Sequence, residues 1–261
     1  MTNTIFDGIT YAKGGSSLKQ VMFLMGEDNF SHALADYFYR FEWDNATIDD
    51  FLESMSKYFH LQEFTLQQWK NEWLETASLN QFTLDWKPSQ EAGAEIEFKI
   101  TQSAYCSAHP RLRYHKTEVA LFNAKGQVVD TISHLFTPTA TTVLKYKQTE
   151  AVKAVLFNHN DHTFANSHID PVSLAFFRNH IGTVEDLLAR TQVWYNVHVM
   201  VEDGMMRVKE LVEMVCDHLF RERANFLVEN MLFVVEAAVK ANLPLSERNQ
   251  QLAHIFKKIY Q

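Results

Sequence analysis

The chain has 261 residues, 46% of them hydrophobic, with 20 Phe and 5 Trp, enough apolar mass for one large domain or two to three small ones and too much for a disordered chain. A formal net charge of -8 disfavours a general nucleic-acid or anionic-membrane surface, so no nucleic-acid and no membrane partner is expected. Two cysteines, Cys106 and Cys216, make neither a disulfide framework nor a Cys-based zinc site; with no signal peptide and no apolar run near the ~20 residues that span a bilayer, they point to a reduced, cytoplasmic protein.

Close to its start the chain reads Phe6-Asp7-Gly8-Ile9-Thr10-Tyr11-Ala12-Lys13-Gly14-Gly15. This segment predicts a glycine-flanked loop that holds Tyr11 at the mouth of a helix beginning near Ser17, with glycine allowing close backbone approach. A tyrosine hydroxyl is a neutral donor at pH 7 and can stabilise a developing oxyanion. The plain alternative is a tyrosine packed at a helix start. Leu18, Val21, Met22 and Met25 then recur at helical spacing. Phe30, Leu34, Tyr37, Phe38 and Phe41 predict a second helix after Gly26. Thr47 with Asp50, and Thr65 with Gln68, read as capping boxes opening two more, the last burying Leu66, Trp69 and Trp73.

At about Leu79 the period changes to alternation: Phe82, Leu84 and Trp86, then Ile96, Phe98 and Ile100 after a Glu91-Ala92-Gly93 turn. Asn123-Ala124-Lys125-Gly126 reads as a hairpin turn between Val119–Phe122 and Val128-Val129. Strands around Ile132–Phe136, Val143–Tyr146, Ala154–Phe157 and Phe164 complete a predicted antiparallel β-sandwich. Asp170 as N-cap with Pro171 at the first helical position returns the chain to helix. Gly182-Thr183 opens another, and Met206–Phe220, Ala224–Ala241 and Ser246–Tyr260 follow, as a stacked α-helical array.

Two clusters invite chemistry. His159-Asn160-Asp161-His162, with His168, has metal-ligand residue types. A turn at a strand end would splay those side chains, and Asn and Asp are ordinary turn formers, so no metal ligand is assigned. His109-Pro110-Arg111-Leu112-Arg113-Tyr114-His115 is a small basic stretch, read as a solvated loop or an interdomain salt-bridge site. No phosphate loop and no nucleophile elbow occur.

Tyr11-Ala12-Lys13-Gly14, preceded by Ile9-Thr10, resembles a motif of the aminopeptidase N family, zinc metallo-aminopeptidases of the gluzincin type. Gly26-Glu27-Asp28-Asn29-Phe30, Tyr37-Phe38, and Asp44-Asn45-Ala46-Thr47 with Asp50-Phe51 follow that family's order at about its spacing. Trp69 and Trp73-Leu74-Glu75-Thr76-Ala77 look like its end-of-catalytic-domain signature. A weaker likeness runs through Gln102, Arg111-Leu112-Arg113, Phe157-Asn158 and Ile169-Asp170-Pro171, and is nearest the bacterial aminopeptidase N and tricorn-interacting-factor branch.

The resemblance implies the helical end of a thermolysin-like catalytic domain over 1–78, a β-sandwich domain over 79–169, and the start of a truncated C-terminal helical domain over 170–261. It implies that Tyr11 is catalytic, donating to the tetrahedral oxyanion from the side opposite the metal, while Lys13 and Gly14 hold the loop. The family's His-Glu-x-x-His helix and its further Glu ligand lie N-terminal to the tyrosine motif, and no His-Glu-x-x-His occurs here. The expectation is therefore a fragment starting after the zinc site. Zinc is expected in the parent enzyme and no cofactor in this chain, which would be inactive alone. Its partners would be the missing catalytic segment and further C-terminal helices, and peptides would be the parent's substrates. The alternatives are a stand-alone, non-catalytic protein-binding or scaffold module of the same architecture, or a different enzyme using the His159–His168 cluster.

Overall fold

The computed structural model describes residues 9–91 and 93–259. Phe6, Asp7 and Gly8 of the tyrosine segment, Ala92 of the Glu91–Gly93 turn and Tyr260 lie outside the described residues, as do the side chains of Ile9, Thr10 and Ile259.

Four helices precede the first strand among the described residues: α1 (Gly14–Met25), α2 (Glu27–Arg40), α3 (Ile48–Ser56) and α4 (Leu66–Trp73). Both capping boxes form. Thr47 N–H donates to Asp50 Oδ2 at 2.8 Å and Thr65 N–H to Gln68 Oε1 at 2.8 Å, while each threonine hydroxyl accepts from the third helical N–H. This satisfies donors that a helix start otherwise leaves unpaired. Val21, Leu24, Leu52, Met55, Phe64, Trp69 and Trp73 form the core of this bundle. The stripe read from Leu18 is rotated: α1 buries Ser17, Gln20, Val21, Leu24 and Met25, while Leu18 is exposed.

Seven strands follow among the described residues: β1 (Asn80–Trp86), β2 (Glu95–Ala104), β3 (His115–Phe122), β4 (Val128–Phe136), β5 (Thr141–Lys147), β6 (Ala154–His159) and β7 (Ala165–His168). They make a sheet of order β5-β2-β1-β7 facing one of order β4-β3-β6, with Phe82, Phe98, Val119, Leu121 and Phe157 in the core between them. The sandwich is not wholly antiparallel. β7 lies parallel to β1, Asn80 opposite Ala165, because the chain crosses from β6 in one sheet to the edge of the other. Nor does β6 alternate: all six of its residues are buried. Val155 and Phe157 face the sandwich core, while Ala154 and Leu156 pack under the C-terminal helices.

Those helices are α5 (Pro171–His180), α6 (Leu187–Glu202), α7 (Val208–His218), α8 (Asn225–Asn242) and α9 (Leu245–Ile259). Asp170 caps α5 by accepting from Val172 N–H and Ser173 N–H, both at 3.0 Å, and also takes Trp86 Nε1–H at 2.9 Å. Ser173 Oγ accepts from Val155 N–H at 2.8 Å, so the helix covers the open edge of β6. Gly182-Thr183 opens no long helix. It forms a short 3-10 turn, and α6 starts at Asp186, whose carboxylate accepts from Leu188 and Ala189 N–H. The Asn123–Gly126 turn closes the β3–β4 hairpin with Gly126 at φ 79°. A Cβ there would also lie 2.6 Å from Thr183 Oγ1, so both the backbone and the contact require glycine. No described helix is long and apolar enough to cross a membrane.

Candidate functional site

Tyr11 stands in a single π-helical turn, Ile9–Lys13, that runs without a break into α1. The predicted loop is therefore a helical turn, with Lys13 at helical dihedrals of φ -67° and ψ -40°. A Cβ on Gly14 or Gly15 would meet nothing within 4 Å. Close backbone approach within this chain is thus not what these two glycines provide; they leave the first turn of α1 bare. Tyr11 itself is 68% exposed. A π turn attached to a helix end is a recurrent feature of functional sites.

Beside this turn lies a cavity of about 360 Å³. Ala12 and Ser16 form one wall, Asp161 and Asn166 from the β6–β7 region another, and Gln192 and Tyr195 of α6 the third. Burial pushes the Tyr195 phenol above its usual range, with Glu202 and Asp161 adding to the shift, so it stays a neutral donor. The cavity thus joins the first helical region, the sandwich and the C-terminal helices.

The β6–β7 turn is held in an unusual form. Asn158, Asn160 and Asp161 have φ of 60°, 65° and 55°, the left-handed region that Asn and Asp tolerate best. Asn158 stabilises it from within: its Oδ1 accepts from Thr163 N–H at 3.0 Å and Thr117 Oγ1–H at 2.7 Å, and its Nδ2 donates to Thr163 O at 2.9 Å. α1 grips the same turn from outside. Lys19 Nζ donates to Asn160 O at 2.6 Å, Gln20 Nε2 to Thr163 Oγ1 at 3.1 Å, and Phe23 stacks on His162 with centroids 3.6 Å apart. From the other side, Gln192 Nε2 donates to Asn158 O.

The histidines do not converge. His159 faces Asp186 at 3.6 Å, His162 faces Glu118 at 3.3 Å and His168 faces Asp203 at 2.7 Å, three separate carboxylates. Burial pushes the His159 and His162 rings below the usual range, against the pull of those carboxylates. No group of three or more His, Cys, Asp or Glu among the described residues is arranged to hold a metal ion.

The basic stretch is only partly a surface loop. Arg113 is buried, donating Nε–H to Glu72 O at 3.0 Å and Nη2–H to Thr76 Oγ1 at 2.9 Å and Ala77 O at 2.7 Å. It caps the end of α4 from the sandwich, and Gln20, Thr163 and Asn80 are buried polar residues beside it in the same junction. Sequence reading passed over Gln20, Thr163 and Asn80. The available signal was Gln20, a polar residue one step from Val21 and four from Leu24 on the inward face of α1.

The family model described as the Peptidase family M1 domain matches residues 1–76. Aminopeptidase N of Streptomyces lividans is 28% identical over 251 residues, which are 90% of this chain and 28% of that protein. Aminopeptidase 2 of Candida albicans is 36% identical over 55 residues, 21% of this chain and 6% of that protein. Among solved structures, Legionella pneumophila aminopeptidase A in complex with aspartic acid superposes on 98% of this chain and 30% of its own, with a TM-score of 0.65 at 12% identity, which shows a common fold. The chain spans less than a third of each of these proteins. The tyrosine segment lies inside the residues that the family model matches, and 90% of the chain is similar in sequence to an aminopeptidase N.

Proposed function

We propose that this chain is the portion of a zinc aminopeptidase that carries the hydrogen-bond donor for the tetrahedral intermediate, and that Tyr11 is that donor. The observation that carries the reading is the exposed Tyr11 on a helical turn beside a cavity shared by three structural regions. The matched relatives supply the reaction class, removal of residues from peptide N-termini. The described residues contain no arrangement fit for zinc, so no step is assigned to the metal here. On this reading the metal ligands belong to another segment of the whole enzyme, which with the further C-terminal helices is the partner of this chain. The chain alone is inactive, acts on neither nucleic acid nor membrane, and belongs to the cytoplasm.

Tyr11 acts through a hydrogen bond. As a nucleophile adds to the scissile carbonyl, its oxygen gains negative charge, and the phenol O–H donates to it without giving up the proton. A donor already held in place costs no reorganisation when the charge appears. In the full-length enzyme, Tyr11→Phe keeps the ring and removes the donor. Turnover should fall roughly 10²–10³-fold with KM little changed, because the oxyanion exists only in the transition state. Turnover within about threefold of wild type would overturn the assignment.

A further inference from the structure

The junction between α1 and the sandwich holds a buried chain of hydrogen bonds whose direction is determined at both ends. Trp69 Nε1 can only donate, and it donates to Gln20 Oε1 at 2.8 Å. That leaves Gln20 Nε2, which donates to Thr163 Oγ1 at 3.1 Å. At the far end, Asn80 Nδ2 donates to Arg111 O at 2.8 Å, so Asn80 Oδ1 is an acceptor. His115 Nε2, 3.0 Å from that oxygen, must then carry the proton. The His115 ring is neutral: complete burial holds its pKa down to about 3, with nearby Arg113 adding to the effect. Its Nδ1 is therefore an acceptor, and Thr163 Oγ1–H, 2.8 Å away, donates to it. Trp69, Gln20, Thr163, His115 and Asn80 thus form one line of donors and acceptors, and none of these groups can reverse without leaving a neighbour unpaired.

We infer that Gln20 and Thr163 are positioning residues for Tyr11: this line sets the rotation and axial height of α1, and so the place of the phenol. The inference rests on the reading of Tyr11 as the donor. Its physical ground is continuity. Ile9–Lys13 and α1 are one helical rod, so Gln20 lies about 13 Å from Tyr11 along the axis at 1.5 Å per residue. The neighbouring Val21 and Leu24 contacts are apolar and non-directional, and allow a helix to slide or turn slightly. Hydrogen bonds weaken steeply with distance and angle, and do not. A misplacement of about 1 Å at a reacting centre costs on the order of 10²-fold.

The test uses Gln20→Met, which keeps length and removes both polar atoms, with Thr163→Val and the conservative Thr163→Ser. In the full-length enzyme, Gln20→Met and Thr163→Val should lower kcat about 10- to 100-fold with KM within about twofold, and Thr163→Ser should restore it. The same two changes in a Tyr11→Phe background should cost under about threefold, because they act through the missing hydroxyl. In the 261-residue chain itself, amide exchange over residues 9–20 should quicken in Gln20→Met and Thr163→Val, but not in Thr163→Ser. Full additivity with Tyr11→Phe, or unchanged exchange in that segment, overturns the positioning role while leaving Tyr11 as donor. A harmless Tyr11→Phe overturns the donor reading instead.

Discussion

The sandwich meets helices on both sides, and the two junctions are built differently. On the N-terminal side the contact is rich in buried and part-buried hydrogen bonds: Arg113 onto the end of α4, Lys116 Nζ onto Phe23 O at 2.8 Å, Lys19 onto Asn160 O, and the line from Trp69 to Asn80. On the C-terminal side a large apolar cluster dominates, with polar contacts such as Val155 N–H onto Ser173 Oγ and Trp86 onto Asp170 beside it. Ala120, Phe122, Ala154 and Leu156 meet Phe177, Val193 and Val197, with Phe122 edge-on to Phe177 at 5.4 Å. Apolar burial stabilises in proportion to area and says little about orientation. Buried polar groups contribute modestly when paired, and cost much when any partner moves. The C-terminal junction thus supplies stability. The N-terminal one decides where α1, and the tyrosine at its start, stands.

The largest effect should come from the apolar side. Phe122→Ala empties a fully buried site and should lower unfolding free energy by about 3–5 kcal/mol in urea melts. Amide exchange in α1 should stay slow relative to the lowered global value. If α1 loosens first, the division between the junctions fails. Arg113→Met should cost somewhat less, about 2–3 kcal/mol, because it leaves Glu72 O, Ala77 O and Thr76 Oγ1 without their buried donor. Its signature should be local: exchange in α4 rises well before exchange in α6. A uniform rise across the chain would make the arginine a general stabiliser and nothing more.

The third effect sharpens the comparison through pH. The folded protein holds His115 near 3 while an ordinary histidine titrates near 6.5, so the unfolded chain binds a proton that the folded one refuses. Stability carried by the neutral ring is complete above about pH 6.5 and falls as pH drops from there toward about 3, by up to ~1.4 kcal/mol per pH unit. His115→Gln can still donate and accept but does not titrate there. Wild-type and variant urea-melt curves should therefore diverge between pH 6 and pH 4, with wild type losing more. Parallel curves would show that His115 is not buried and neutral.

Much of this architecture was legible in the chain because its causes are local. Thr47–Asp50 and Thr65–Gln68 cap helices by contacts three residues apart, Asp170-Pro171 starts α5, and Asn123–Gly126 closes a hairpin. The period change near Leu79 marked the strands. The Tyr11 segment was recognisable as a motif, but its helical turn was not, because consecutive glycines permit loop and helix alike.

What the sequence by itself determined is the order and kind of most of the elements, together with a tyrosine segment that resembles an aminopeptidase motif. Only the tertiary structure decided which face of α1 turns inward, that β7 joins β1 in parallel, that Arg113 is buried, and that three neighbouring histidines meet three different carboxylates. The physical reason is separation along the chain. Gln20 finds Thr163 across 143 positions and Lys19 finds Asn160 across 141. A buried polar residue is explained only by the partner that satisfies it, and neither composition nor periodicity carries information about a partner so distant.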